Sequence, residues 1–361
     1  MKIIHCADLH LDSKMDTLPS DRSRKRREEV LHTFERLAMF AAENGVKAII
    51  IAGDMFDTHA VSAKTRGRII AAIKSVPDVD FLYLTGNHDE ENFIMAAQDD
   101  APLPENLKTF SDNWTYYDYG DITVGGIILT PNNARYVYDR LSLSENRLNI
   151  VALHGQIAGY KSMEKAETIS LPLLKERNID YLALGHIHSY AEGKLDDRGI
   201  YAYSGCLEGR GFDETGEKGF VLLESVNGKL TRSFVKFSSR ELYDYEFDVS
   251  QYNDWYEARR DLILQISEKF SETSLIKVIL TGSHSVDFGI DRSELAERLN
   301  ERFFFGKVYD NTSLKVSAED YAADKSVRGE FVRTVLGSGL KKEDADKVIM
   351  TGLNALRGEG L

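Results

Sequence analysis

Apolar residues along this chain fall into short runs that stop abruptly at polar clusters. Ala48 to Ala52 is one such run, rich in isoleucine and followed by glycine, which predicts a buried strand. It gives way at once to Gly53-Asp54-Met55-Phe56-Asp57, with two carboxylates three residues apart. Met1 to His5 is a second run and leads into Cys6-Ala7-Asp8-Leu9-His10. Val79 to Leu84 is a third, ended by Thr85-Gly86-Asn87-His88-Asp89. Leu148 to Leu153 ends in His154-Gly155-Gln156, and Tyr181 to Leu184 ends in Gly185-His186-Ile187-His188. Helical periodicity fills two of the gaps. Residues 23 to 44 carry Val30, Leu31, Phe34, Leu37, Ala38 and Ala41 at three-and-four spacing and stop at Asn44-Gly45; Ser62 to Ser75 is a second helical stretch. The rhythm of strand, polar cluster and helix predicts an α/β domain whose strand ends meet at one edge, where open sheets place their ligands.

The pattern loosens from Glu90 to Asn113, a polar stretch with Pro102 and Pro104 that predicts a loop with a short helix. Strands are expected near Ile122 to Leu129, at Ile200 to Ser204 and at Gly219 to Glu224. Leu230 to Phe237 closes a hairpin across Asn227-Gly228, a dipeptide suited to positive φ. Ser238-Ser239-Arg240 marks a boundary, beyond which the ligand-type clusters cease. Trp255 to Phe270 and Arg292 to Phe303 predict helices, Leu275 to Thr281 and Ser313 to Val316 strands, and Ser326 to Leu336 and Lys342 to Leu356 two closing helices. The expected organisation is a catalytic domain over 1–237, a small α+β unit over 241–322, and terminal helices over 326–357 that dock a partner.

Composition narrows the class. A chain of 361 residues, 42% hydrophobic, can bury a large core. It has no run of eighteen apolar residues and no basic segment leading into an apolar one at the N-terminus, so a cytoplasmic protein without a membrane span is expected. Cys6 and Cys206 have no metal-site spacing and read as buried thiols. The formal charge of −13 argues against a broad basic surface for nucleic acid, but clustered carboxylates around divalent cations add to that count while presenting a positive centre to phosphate.

The strand-end residues Asp8, His10, Asp54, Asn87, His154, His186 and His188 are all oxygen or imidazole donors. Taken alone, Asp54 is better read as a helix N-cap, and a lone histidine pair as packing or surface. Five clusters in succession, each after an apolar run, reverse that reading. With no thiolate among them, the donors suit manganese, iron or zinc in a hydrolytic site better than a structural zinc site. Seven donors exceed the usual needs of one ion. A two-metal site bridged by Asp54, clamping a phosphoryl group and activating a water between the ions, uses them all. Residues two apart in an extended stretch share a side, so His186 with His188, and Asp8 with His10, can face one site. Gly53, Gly86 and Gly185 are expected to allow tight turns. His88 is the candidate general acid for the departing oxygen, oriented by Asp57; the alternatives are a structural His88 and an Asp57 that caps the next helix.

In this order, Asp8-Leu9-His10, Gly53-Asp54-Met55-Phe56-Asp57, Gly86-Asn87-His88-Asp89, His154-Gly155 and Gly185-His186-Ile187-His188 resemble the calcineurin-like metallophosphoesterase superfamily. The resemblance implies a four-layer α/β/β/α sandwich, with Asp8, His10, Asp54 and His188 around one metal, Asp54, Asn87, His154 and His186 around the other, and His88 as acid. His5 to Ser13, Tyr203-Ser204-Gly205, Gly209-Arg210 and Glu214 to Gly219 resemble its DNA-repair exonuclease branch, which includes the SbcD nuclease subunit and YhaO-like bacterial relatives. That branch implies a manganese-dependent DNA exo- or endonuclease with a capping domain, an SMC-like ATPase partner of the Rad50/SbcC type, and a homodimer. Archaeal and eukaryotic relatives place a histidine where this chain has Asp57, which favours the bacterial type. Thr58-His59 and Asp89 depart from the protein phosphatases of the superfamily.

Candidate DNA contacts are the basic cluster Arg22, Arg24, Lys25, Arg26 and Arg27, with Arg66, Arg68 and Arg210 as further cations and Tyr203 as a base-stacking residue. Two other functions fit the residues: a phosphodiesterase for a small nucleotide or nucleotide-linked substrate, and a non-catalytic scaffold that has kept the fold.

Overall fold

The structure is a computed structural model in which residues 1–57, 61–89, 102–133, 136–158, 168–315 and 321–357 are described. The chain divides into two compact units, Met1–Glu241 and Leu242–Leu361.

In the first unit the elements follow as β1 (Lys2–Cys6), α1 (Ser20–Glu43), β2 (Val46–Ala52), α2 (Ala63–Lys74), β3 (Asp80–Leu84), β4 (Leu107–Thr109), β5 (Thr115–Tyr119), β6 (Ile122–Gly126), β7 (Leu148–His154), the short β8 (Gln156–Ile157) and β9 (Thr168–Ile169), α3 (Leu171–Leu174), β10 (Tyr181–Gly185), β11 (Ala191–Lys194), β12 (Ile200–Tyr203), β13 (Gly219–Val226) and β14 (Lys229–Lys236). Two six-stranded sheets result, in the orders β14-β13-β1-β2-β3-β4 and β11-β12-β10-β7-β6-β5. Strands β1 to β4 are parallel neighbours in one sheet, and β6, β7, β10 and β12 are parallel in the other.

Alternation along these strands explains the layering. Ile3, Ala48, Ile50, Leu82 and Leu84 from one sheet bury against Val124, Ile150, Ala152, Tyr181 and Ala183 from the other. The opposite face of the second sheet packs Val151, Leu153, Leu182 and Leu184 with Val137, Tyr138, Ile169 and Leu174 from the connecting segments. On the first sheet's outer side, α1 buries its apolar stripe and Phe34 meets Phe81 at 6.0 Å. The four-layer α/β/β/α sandwich is thus present. Among the described residues the helical layer over the second sheet is thin, being a 3-10 turn at Tyr138–Arg140 and the single turn of α3.

Local chemistry sets the element ends. Helix α1 starts at Ser20, three residues before the periodicity becomes visible, because Pro19 precedes it and its carbonyl accepts from Ser23 N. Ser62 caps α2 by accepting from Thr65 N, so Asp57 is not the cap of that helix. Asn227 and Gly228 both have positive φ in the β13–β14 hairpin, as that turn requires. Within Glu90 to Asn113, residues 102–113 contain β4 and no helix; residues 90–101, like Thr58-His59, lie outside the described residues.

The second unit holds β15 (Leu242–Asp248), α4 (Trp255–Lys269), β16 (Leu275–Thr281), β17 (Ser283–His284), α5 (Arg292–Arg302), β18 (Phe305–Asp310), β19 (Ser313–Leu314), α6 (Val327–Leu336) and α7 (Lys342–Arg357). Strands β15, β16 and β18 are parallel, and α4 and α5 pack Leu262, Ile266, Leu295 and Leu299 on Val278 and Leu280. The terminal helices have a core of their own: Val332, Val335, Ala345, Ile349 and Leu353 close on Val286 and Leu314. Val316, expected to end a strand, lies outside the described residues. The boundary falls after Glu241 rather than at 237. Ser239 and Arg240 stay with the first unit because the Ser239 N–H donates to Glu208 and Arg240 forms two bonds to Glu29, at 2.6 and 2.8 Å.

Candidate metal centre

The loops after β1, β2 and β3 carry Asp8 with His10, Asp54, and Asn87. His154 ends β7, and the loop after β10 carries His186 and His188. Each group of strands is parallel, so all five carboxyl ends open toward the same edge of the sandwich.

Backbone torsion aims the donors inward. Asp8 (φ 51°), His10 (φ 45°), Asp54 (φ 51°) and His186 (φ 102°) all lie in the left-handed region that non-glycine residues avoid. The glycines act differently from the expectation. Gly53 has φ 91°, but Gly86 and Gly185 do not have positive φ. They are required for space: a Cβ at Gly86 would run into the Asp54 carboxylate, and one at Gly185 into the Ala52 carbonyl oxygen of the facing sheet. Gly185→Ala is therefore expected to lower stability by about 1–3 kcal/mol, read as a reduced urea midpoint.

Two clusters form. Donor atoms of Asp8, His10 and His188 lie within 4.8 Å of one another, as do those of Asp54, His154 and His186. Asp8 and His10 thus share one half of the centre as expected, whereas the two histidines after β10 enter different halves, His186 being turned by its left-handed backbone. Carboxylates flank the outer ring nitrogens. His188 Nδ1 donates to Glu214 Oε1 at 2.7 Å, and His10 Nδ1 faces Asp57 Oδ1 at 3.5 Å. The two Nε2 atoms face one another, 3.1 Å apart. In the other half His154 Nδ1 donates to the Ala52 carbonyl at 2.9 Å, and its Nε2 faces Asn87 Oδ1 at 2.9 Å and Asp54 Oδ2 at 3.3 Å. Asp54 Oδ2 is buried without a hydrogen bond, while Oδ1 accepts from the His88 N–H at 2.9 Å. Two clusters of converging imidazole and carboxylate donors and an orphaned buried carboxylate oxygen are arrangements that divalent cations resolve, so the donor set fits a dinuclear centre.

Electrostatics agree. Burial disfavours charge on His154, but the Asp54 carboxylate overrides it and raises the imidazole to about 9. Burial likewise opposes the Asp54 charge, and His154 outweighs it, holding that carboxyl well below its usual range. Each of the two groups thus favours the charged form of the other. Burial, with the Asp54 charge adding to it, pushes Asp89 up to about 7; its oxygens accept from Gly86 N and Phe56 N, pinning two donor loops together.

Around the donors, Asp57 accepts from Ser13 Oγ at 2.7 Å, pairs with Arg210 at 2.9 Å and lies 3.6 Å from His88 Nδ1. Glu214, buried beside His188, is absent from the residues that strand-end spacing picks out. Its signal was the stretch Glu214 to Gly219, in which Lys218 Nζ also donates to the His188 carbonyl at 2.7 Å.

Two expected DNA contacts are corrected. Arg26 is fully buried, bonded to Glu208, Glu29 and the Gly209 carbonyl, because it sits on the inner face of α1. Tyr203 is fully buried, its hydroxyl donating to the Gly155 carbonyl and accepting from Ile157 N, so no base can stack on it. Arg210 is engaged by Asp57 and Glu214, and Arg68 by Glu28 and Glu35. Arg24 and Lys25 are exposed, and Arg22 is half-buried.

Comparison with known proteins accords with this centre. Residues 1–190 match the family model described as calcineurin-like phosphoesterase. The DNA double-strand break repair protein Mre11 of Sulfurisphaera tokodaii is 26% identical over 333 residues, 87% of this chain and 82% of that one. Mre11 of Sulfolobus acidocaldarius is 22% identical over 98% of this chain and 95% of its own. The metallophosphoesterase YhaO of Bacillus subtilis is 25% identical over 65% of this chain, which spans 60% of that protein. With the matched segment running from β1 through the last histidine pair, the chain belongs to the calcineurin-like phosphoesterase family and is a metal-dependent hydrolase of phosphate esters.

Proposed function

We propose that the chain is a two-metal phosphodiesterase acting on DNA ends as an exo- or endonuclease in DNA repair. The supporting observation is the convergence of seven donors beside His88 and Asp57, in a chain whose similarity to Mre11 proteins runs over most of its length. Asp8, His10 and His188 would hold one ion and Asn87, His154 and His186 the other, with Asp54 bridging. Manganese suits the oxygen and imidazole set best, ahead of iron or zinc. Such a pair supplies positive charge to the phosphoryl oxygens and makes a water nucleophilic near neutral pH.

The chain's own groups do the rest. His88 is half-buried at the mouth of the centre, with Nδ1 toward Asp57, and hands a proton to the departing sugar oxygen. Arg22, Arg24 and Lys25 on the first turns of α1 are the phosphate contacts of this reading. His88→Ala is expected to slow DNA cleavage by about 10²–10⁴-fold. On a p-nitrophenyl phosphodiester, whose leaving group needs no proton, the loss should be under about tenfold. Equal losses on both substrates would remove His88 from the acid role.

Purified protein with manganese and labelled single- and double-stranded DNA tests the substrate. The acidic charge of −13 favours a second reading, a small nucleotide-linked phosphodiester, and turnover confined to such compounds would establish it instead. A Rad50-type ATPase is the proposed partner, docking on α6 and α7, where Val327, Val348 and Leu356 are exposed. The second unit is proposed as a cap that shapes the substrate groove. A cytoplasmic homodimer completes the reading; among the described residues no helix is long and apolar enough to cross a membrane.

A further inference from the structure

The two halves of the centre are held by different means. On the His154 side the outer ring nitrogen is fixed by the main chain, the Ala52 carbonyl at the end of β2. On the side of His10 and His188 the outer nitrogens face carboxylates from separate loops, Asp57 after β2 and Glu214 after β12. Main chain in a paired strand cannot swing. Carboxylates on loops can, unless something spans them.

Arg210 spans them. Its Nη1 pairs with Asp57 Oδ2 at 2.9 Å, and its Nη2 and Nε donate to Glu214 Oε1 at 2.7 and 3.1 Å. Its own backbone N–H donates to Glu214 Oε2 at 2.7 Å, so the second carboxylate is gripped from both ends of one residue. The guanidinium is largely buried in this position, and its planar fork suits two acceptors at once, which a lysine ammonium on a flexible stem does not.

We propose, on the two-metal reading above, that Arg210 is a positioning residue that braces one half of the centre. By tying Asp57 to Glu214 it sets the approach of His10 to His188, and with it the affinity of the ion those residues share with Asp8. The His154 half does not depend on it. Outer partners of metal-binding histidines commonly change metal affinity ten- to a hundredfold when removed. Here that loss falls on one ion only.

The test is manganese titration of the full, metal-free chain by calorimetry and equilibrium dialysis, for wild type, Arg210→Ala and Arg210→Lys. Wild type is expected to bind two ions. Both variants should keep one ion at wild-type affinity and bind the other about 10- to 100-fold more weakly, with an unchanged far-UV spectrum. Turnover of a p-nitrophenyl phosphodiester should then recover as manganese is raised. Two ions at wild-type affinity with a raised KM for DNA would overturn the brace and make Arg210 a substrate contact. Equal weakening of both ions, or loss of the folded spectrum in both variants, would also overturn it. A wild-type chain that takes up fewer than two ions would overturn the two-metal reading and the brace with it.

Discussion

Asp54→Asn is expected to lower phosphodiester turnover by a factor on the order of 10²–10³ and to reduce manganese uptake below two ions per chain. The substitution is sterically clean. Asparagine tolerates the left-handed backbone that Asp54 adopts, and its carbonyl oxygen can still accept from the His88 N–H. What changes is the second oxygen, which becomes an NH₂ group where Asp54 Oδ2 is now buried and unbonded beside His154. An amide cannot bridge two cations. Metal-free stability should fall, because the Asp54 carboxylate pairs with the buried His154 and asparagine leaves that imidazole without its charge partner. Elemental analysis after gel filtration measures the first effect and urea unfolding of the metal-free chain the second. Wild-type turnover with wild-type metal content would exclude Asp54 as the bridge.

Arg26→Ala is expected to destabilise the chain by about 3–5 kcal/mol while leaving phosphate contacts untouched. Arg26 and Glu208 are both fully buried, 2.9 Å apart, and Glu208 also accepts from Thr33 Oγ1 and the Ser239 N–H. Removing the guanidinium leaves a carboxylate in the interior with its charge uncompensated. Replacing the pair together by Arg26→Met and Glu208→Leu should recover much of the loss, although Thr33 and Ser239 would lose an acceptor. Urea midpoints for the two single variants and the double variant measure the coupling. A variant with unchanged stability and weaker DNA binding would restore Arg26 to the basic surface.

These two residues show where sequence reading succeeds and where it stops. Asp54 was legible because an apolar strand followed by a carboxylate recurs in kind at Asp8, Asn87, His154 and His186, and tertiary structure has to bring parallel strand ends together. Arg26 was misread because a run of basic residues says nothing about which one turns inward. Helical spacing does: Arg26 lies four before Val30 and eight before Phe34, on the buried face of α1. Strands β5, β11 and β18 were missed because edge strands mix polar and apolar residues and are stabilised by pairing. Strand β15 was missed as well, although Tyr243, Tyr245 and Phe247 alternate with Asp244, Glu246 and Asp248, which is the period of a strand. Glu214 lay beyond any spacing rule, since its partner His188 is 26 residues away and the meeting depends on a loop.

The left-handed torsions at Asp8, His10, Asp54 and His186 carry a consequence for selection. Each donor sits in a conformation that its own side chain disfavours and glycine would not, so chemistry and folding select opposite residues at the same four positions. A lineage that lost the need for catalysis would gain stability by substituting its donors one at a time. Replacing any one of the four by glycine should therefore relieve its backbone while removing a donor from the centre.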